Sequence, residues 1–120
     1  MPNSALAIDE RQVGDVTVLT LVGEILLDDG DLAFRQQIHD LLARECRKFV
    51  VDLGGVTHVD SSGVGMLVGK LKTVREKGGD MKLVHVTPRS HRLLGLLKVH
   101  TLFEVFDDEA AAVKSFAWNG

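Results

Sequence analysis

The spacing of apolar residues changes several times along the chain, and each change marks an element. In residues 16–22, Val16, Val18 and Thr20 alternate with Thr17, Leu19 and Leu21, and neither set is strongly polar. A period of two with both sides apolar predicts a strand covered on both faces. Leu6, Ala7 and Ile8 precede it across the turn cluster Val13, Gly14 and Asp15, so the chain is expected to open with an antiparallel hairpin. After Gly23 the period lengthens. Asp28, Asp29 and Asp31 are followed by Phe34, Ile38, Leu41 and Leu42 at helical spacing, and acid at a helix start complements the positive end of its dipole. Residues 49–53 are apolar and β-branched, which predicts a third strand, broken by Gly54 and Gly55.

The same alternation continues to the C-terminus. Val64, Leu67, Val68, Leu71 and Val74 predict a helix from about Ser62 to Lys77, stopped by Gly78 and Gly79. Residues 81–86 read as a fourth strand. Thr87 is an expected cap, Pro88 suits a first helical position, and Leu93, Leu94 and Leu97 are expected to give the third helix its buried side. A short strand over residues 103–106 precedes a last helix that starts at Asp107, Asp108 and Glu109 and ends near Trp118. Strands alternating with helices predict an α/β fold: one compact domain over residues 1–120, with an N-terminal hairpin, a mainly parallel sheet and about four helices.

Composition narrows the function classes. A chain of 120 residues with 45% hydrophobic content holds one packed core and is too short for two ordinary domains. Fourteen basic against seventeen acidic residues leave a formal charge of −3 with no basic stripe, so nucleic acid is not an expected partner. The one cysteine, Cys46, cannot form an internal disulfide; it falls in a helix-like segment and is expected to be a small buried hydrophobe. Residues 1–4 do not read as a secretory leader, and no apolar run approaches the roughly 18 residues needed to span a bilayer. A cytoplasmic location away from membranes is the expectation.

Candidate chemistry concentrates where the third strand gives way to the second helix, at Asp60, Ser61, Ser62, Gly63, Val64 and Gly65. Free N–H groups and the positive dipole end meet at such a junction, which suits an anion, including a phosphate carried on serine. The plainer reading is an ordinary cap, since Asp and Ser are both favoured there. Gly63, Gly65 and Gly69 do not match a dinucleotide loop, and Gly69-Lys70 fails as a phosphate loop because Val64 stands where its first glycine belongs and Leu71 where its hydroxyl belongs. Gly65 and Gly69 lie one turn apart and are expected to let this helix approach a neighbour or a partner closely. His39, His58, His85, His91 and His100 are scattered, none at metal-ligand spacing with another or with Cys46. A hydrolase would need a base and an orienting acid beside Ser61 or Ser62, and His58 is expected to lie back along the loop. No catalytic residue, metal or cofactor is expected.

These residues resemble the STAS domain family, and within it the bacterial anti-sigma factor antagonists. The resemblance spans nearly the whole chain: Leu21-Val22-Gly23-Glu24 at the end of the hairpin, Val50-Val51-Asp52-Leu53, Val59-Asp60-Ser61-Ser62-Gly63-Val64-Gly65, Lys77-Gly78-Gly79, Arg92-Leu93-Leu94 and Leu102-Phe103-Glu104-Val105-Phe106. It implies a domain that binds an anti-sigma factor, itself an ATP-dependent serine kinase, and so frees a sigma factor. It also implies that Ser61, matching the first serine of the family motif, is the phosphorylation site, with Ser62 left to cap the helix. Asp60, Ser61, Ser62, Gly63, Val64 and Gly65 would form the partner surface. One departure is visible: where the family commonly has an aspartate after the Gly-Glu-aliphatic step, Gly23-Glu24-Ile25 is followed here by Leu26 and Leu27. These leucines read as core residues or as an apolar, partner-binding contact patch suited to a different partner. The alternative reading is a STAS scaffold or sensory module that assembles with other STAS proteins or binds a small anionic or nucleotide-like ligand.

Overall fold

In a computed structural model, residues 6–25 and 29–117 are described. Strands β1 (Leu6–Val13) and β2 (Val16–Ile25) form the expected hairpin, turning at Gly14 with φ 64°. They are followed by α1 (Asp29–Ala43), β3 (Lys48–Val59), α2 (Ser61–Glu76), β4 (Asp80–Val84), α3 (Pro88–Leu96), β5 (Val105–Phe106) and α4 (Glu109–Ala117). The sheet runs β1-β2-β3-β4-β5, antiparallel at its first pair and parallel thereafter. This is the predicted α/β architecture.

The two-sided apolar pattern of β2 has its counterpart in two cores. Leu19 and Leu21 join Phe49, Val51, Leu53, Met81 and Leu83 on one face of the sheet, where Phe34, Ile38 and Leu41 of α1, Val64, Leu67, Leu71 and Val74 of α2 and Leu94 of α3 cover them. Val16 and Val18 join Val50 and Val84 on the other face beneath Ala112 and Phe116 of α4. Each such Val, Leu, Ile, Phe or Met side chain, fully withdrawn from water, contributes about 1.5–3 kcal/mol. The larger core therefore fixes α1, α2 and α3 as one layer, and α2 carries the candidate junction.

Several boundaries differ from the sequence reading. Gly54 and Gly55 do not end β3, which continues to Val59. Between the pairs Thr20↔Asp52 and Val22↔Gly55, and again between Gly23↔Val56 and Glu24↔His58, β3 spends one residue more than β2. A Cβ on Gly55 would lie 2.9 Å from Val22 Cγ2 and 3.2 Å from the Leu21 oxygen, so glycine here permits an irregular strand to stay close to its neighbour. β4 ends at Val84 because His85 turns left-handed, with φ 56°. Leu97 is 40% exposed, and Leu94 is the buried leucine of α3. Cys46 sits half-buried beyond the end of α1. The last helix starts at Glu109, where Asp108 Oδ1 accepts from Ala111 N at 2.7 Å, and Trp118 lies outside the described residues.

The close approach at Gly55 has a measurable cost when filled. Gly55→Val should lower unfolding free energy by about 1–3 kcal/mol, read by urea titration. Unchanged stability would show that β2 and β3 have room to spare there.

Candidate functional site

β3 delivers the chain to the site. Its last residue, Val59, pairs with Ile25 at the end of β2, and Asp60 N donates a long 3.5 Å hydrogen bond to the Ile25 oxygen. Asp60 is extended, with φ −107° and ψ −178°, and its Oδ1 accepts from Gly63 N at 2.8 Å. Val64 N donates to the Asp60 oxygen at 3.0 Å, the first bond of the helical ladder. Asp60 is therefore the N-cap of α2. The assignment of Ser62 as cap is corrected: Ser61 is the first residue of the helix, Ser62 the second, and the carboxylate of Asp60, immediately before Ser61, reaches the orphan N–H of Gly63.

Because Asp60 does the capping, Ser61 and Ser62 are both exposed, and neither hydroxyl has a hydrogen bond among the described residues. Gly63 has a different task. A Cβ there would collide with the Ile25 carbonyl oxygen and come within 2.9 Å of Ile25 Cγ2 and 3.0 Å of Val59 Cγ2. Gly63 is buried and lets the first turn of α2 sit directly on the end of β2, while Val64, 2% exposed, anchors the same turn in the core. Gly65 is exposed, and a Cβ on it or on Gly69 would meet nothing within 4 Å. These two glycines do not serve an internal contact; they leave bare backbone on the outer side of α2.

The expected partner-surface residues thus divide. Asp60, Ser61, Ser62 and Gly65 reach solvent at one end of α2, whereas Gly63 and Val64 hold that end in place. Leu26 and Leu27 lie outside the described residues. Beneath the turn is an apolar void of about 10 Å³ lined by Ile25, Leu53, Val56, Val59, Val64, Leu67, Ser90 and Leu94. It has scarcely the volume of one water and no room for a ligand.

Three flanking interactions were invisible in the sequence. His58 does not lie back along a loop: it is in β3, opposite Glu24, with Nδ1 3.3 Å from Glu24 Oε2. Arg89, from the first turn of α3, donates through Nη1 to the Thr57 oxygen at 3.4 Å. Thr57 Oγ1 in turn donates to the Gly23 oxygen at 3.2 Å. Only the β2–β3 register and the position of α3 bring these residues to the same end of the sheet as Asp60.

The cap assignment separates the two kinds of residue in the junction. Asp60→Ala should cost about 1 kcal/mol and Ser62→Ala a few tenths, measured by chemical denaturation. Gly63→Ala should cost about 1–3 kcal/mol or more because backbone must shift, while Gly65→Ala should stabilise by up to about 1 kcal/mol. Equal effects of the two glycine substitutions would remove the distinction between the packed and the open position.

Comparison with known proteins agrees with this architecture. The family model for the STAS domain matches residues 7–112. An anti-sigma F factor antagonist from Paenibacillus polymyxa is 30% identical over 108 residues, covering 90% of this chain and 92% of the relative. Among solved structures, an anti-sigma factor antagonist from Mycobacterium paratuberculosis superposes with a TM-score of 0.79 at 20% identity, covering 95% of this chain and 96% of the other. The Bacillus cell fate determinant SpoIIAA in its phosphorylated form superposes with a TM-score of 0.71 at 18% identity, covering 91% and 99%. No helix of the described residues is long and apolar enough to cross a membrane. A hairpin leading a parallel sheet, an acid-capped helix with two free serines, and a family match along most of its length together place this chain in the STAS domain family, among relatives named as anti-sigma factor antagonists.

Proposed function

We propose that this chain is an anti-sigma factor antagonist that docks through the N-terminal end of α2 and is released by phosphorylation of Ser61. The observation that carries the reading is the Asp60 cap, which leaves the Ser61 hydroxyl exposed and unbonded at the positive end of a 16-residue helix. The partner is an anti-sigma factor of the serine-kinase type. The bare backbone at Gly65 favours a flat protein surface lying against α2, and the 10 Å³ void beneath the first turn is too small to hold a ligand at this junction.

Magnitudes explain why modification there acts on the complex and not on the fold. A phosphate brings about −1.5 to −2 charges, which the dipole and N–H groups of the first turn stabilise by about 0.3–1 kcal/mol per charge. Burying the same charges against a partner without a cation to meet them costs several kcal/mol. Asp60 adds a like charge alongside. The exposed dianion is tolerated by the free domain, and the desolvated one expels the partner. Ser61 takes precedence over Ser62 through its place in the family motif, since neither serine is engaged as the cap.

Incubation with a binding anti-sigma kinase and ATP, followed by mass spectrometry, should place the phosphate on Ser61. Phosphate on Ser62 alone would reject the assignment. In binding titrations Ser61→Ala should hold affinity within about three-fold while Ser61→Asp weakens it about 10–100-fold, partly recovered at high salt. Equal loss in both variants would mean that the hydroxyl makes a required contact, and the electrostatic account would fail.

A further inference from the structure

From His85 to Phe103 the chain contains no acidic residue, although it has 17 in all. The segment carries Arg89, Arg92 and Lys98 together with His91 and His100. It also exposes apolar surface: Leu96 is 71% exposed, Leu97 40% and Leu102 39%. The helix that presents them is fixed. Thr87 Oγ1 accepts from Ser90 N at 3.2 Å, Pro88 opens the first turn, and Ser90 and Leu94 are buried. Arg89, Arg92 and Leu96 are then left along the outer side at helical spacing.

Several cations elsewhere on this protein are held by acids, among them Arg11 by Glu109 at 2.6 Å, Lys48 by Asp15 at 2.6 Å and Arg75 by Asp80 at 3.0 Å. The side chains of Arg92 and Lys98 have no hydrogen bond or ion pair among the described residues. Lys98 also occupies a left-handed conformation, φ 59°, just past the end of α3, a position that glycine fills with less strain; Gly78, φ 89°, does so after α2. Arg75 Nη2 donates to the Leu102 oxygen at 3.0 Å, which ties the loop after α3 to the last turn of α2. At 1.5 Å per residue that turn is about 20 Å along the helix from Ser61. The Leu102 end of this surface is therefore remote from the serines, whereas Arg89 lies at their end of the sheet.

We propose that Arg92, Leu96, Leu97, Lys98 and Leu102 form a second docking surface, which binds an acidic amphipathic segment of a partner protein. Unpaired guanidinium and ammonium groups select carboxylates, and the leucines between them select apolar side chains, so a segment carrying both is complementary. An anionic bilayer fits less well, because a membrane-binding cluster uses four to eight lysines or arginines and this segment has only Arg89, Arg92 and Lys98. The proposal stands apart from the reading of Ser61.

The test titrates the ¹⁵N-labelled chain with a short peptide of glutamate and leucine at helical spacing, and with its lysine-for-glutamate counterpart. Amide shifts should concentrate in residues 89–103, with affinity falling as salt rises, and the lysine peptide should not bind. Arg92→Glu combined with Lys98→Glu should weaken the acidic peptide about ten-fold or more, and Ser61→Asp should leave its affinity unchanged. Lys98→Gly should weaken binding while raising the melting temperature by about 2–4 °C, a split that a purely structural lysine would not give. Shifts centred on Ser61, equal binding of both peptides, or full affinity after charge reversal would overturn the proposal. So would preferential binding to phosphatidylserine vesicles, or a concentration-dependent dimer in sedimentation that the charge reversal abolishes.

Discussion

The candidate site depends on how closely the end of β2 and the start of α2 approach each other at the Ile25 carbonyl. Asp60 N donates to that oxygen, and the missing side chain of Gly63 makes room for it. With any larger residue at position 63 the first turn of α2 would lift away from the sheet. The cap would then lose its fixed relation to β3, and Val64 would withdraw from the core. One buried glycine thus sets the position of two exposed serines. The energy that holds them there comes from elsewhere, from Val64, Leu67, Leu71 and Val74 packed on the sheet. This division suits a surface that changes charge, because nothing in the core has to respond.

Capping by aspartate has a further consequence. A serine used as the cap would have its hydroxyl oxygen committed to an N–H, and modifying it would cost the helix one of its terminal bonds. Here the carboxylate of Asp60 satisfies Gly63 N, so the hydroxyls downstream take no part in holding the helix. Ser61 then sits in the first turn, where the dipole favours negative charge, and beside Asp60, where a like charge opposes it. The two influences oppose each other at an exposed position, so under the proposed switch a phosphate on Ser61 would have little net effect on the stability of the free domain.

The fold was readable from the chain because its periods are clean. The alternation in β2 announced a strand buried on both faces, and the helical spacing of Val64, Leu67, Leu71 and Val74 announced the side of α2 that packs. Gly54 and Gly55 misled because glycine signals both the end of a strand and a place where two strands come unusually close, and only the register with Leu21 and Val22 distinguishes these. The Asp-Ser-Ser-Gly junction was likewise visible as a helix start, but not which residue caps it: the side-chain oxygens of Asp60 and Ser62 can both accept from an orphan N–H, and the choice turns on a backbone two residues out of phase. The pairing of His58 with Glu24 and the reach of Arg89 to Thr57 join residues distant in sequence, and no local pattern encodes them.

Both edges of the sheet are poorly suited to pairing with another chain. β1 is an outer strand of eight residues, long enough to add a strand from another chain. Its residues oppose that: Asp9, Glu10, Arg11 and Gln12 are exposed, Arg11 is paired with Glu109, and Glu10 accepts from Gln37 and lies 3.6 Å from Arg44. Charges directed along an edge and tied to α1 and α4 discourage strand addition. At the opposite edge β5 has only two residues, too few to serve as a template. With both edges blunted, the surfaces still open to a partner are the outer sides of the helices. There Gly65 and Gly69 of α2 bare the backbone, and α3 ends in unpaired cations among exposed leucines. Contact through helices is made by side chains and close backbone approach instead of by a hydrogen-bond ladder, so one charge added at a helix terminus can decide whether it forms.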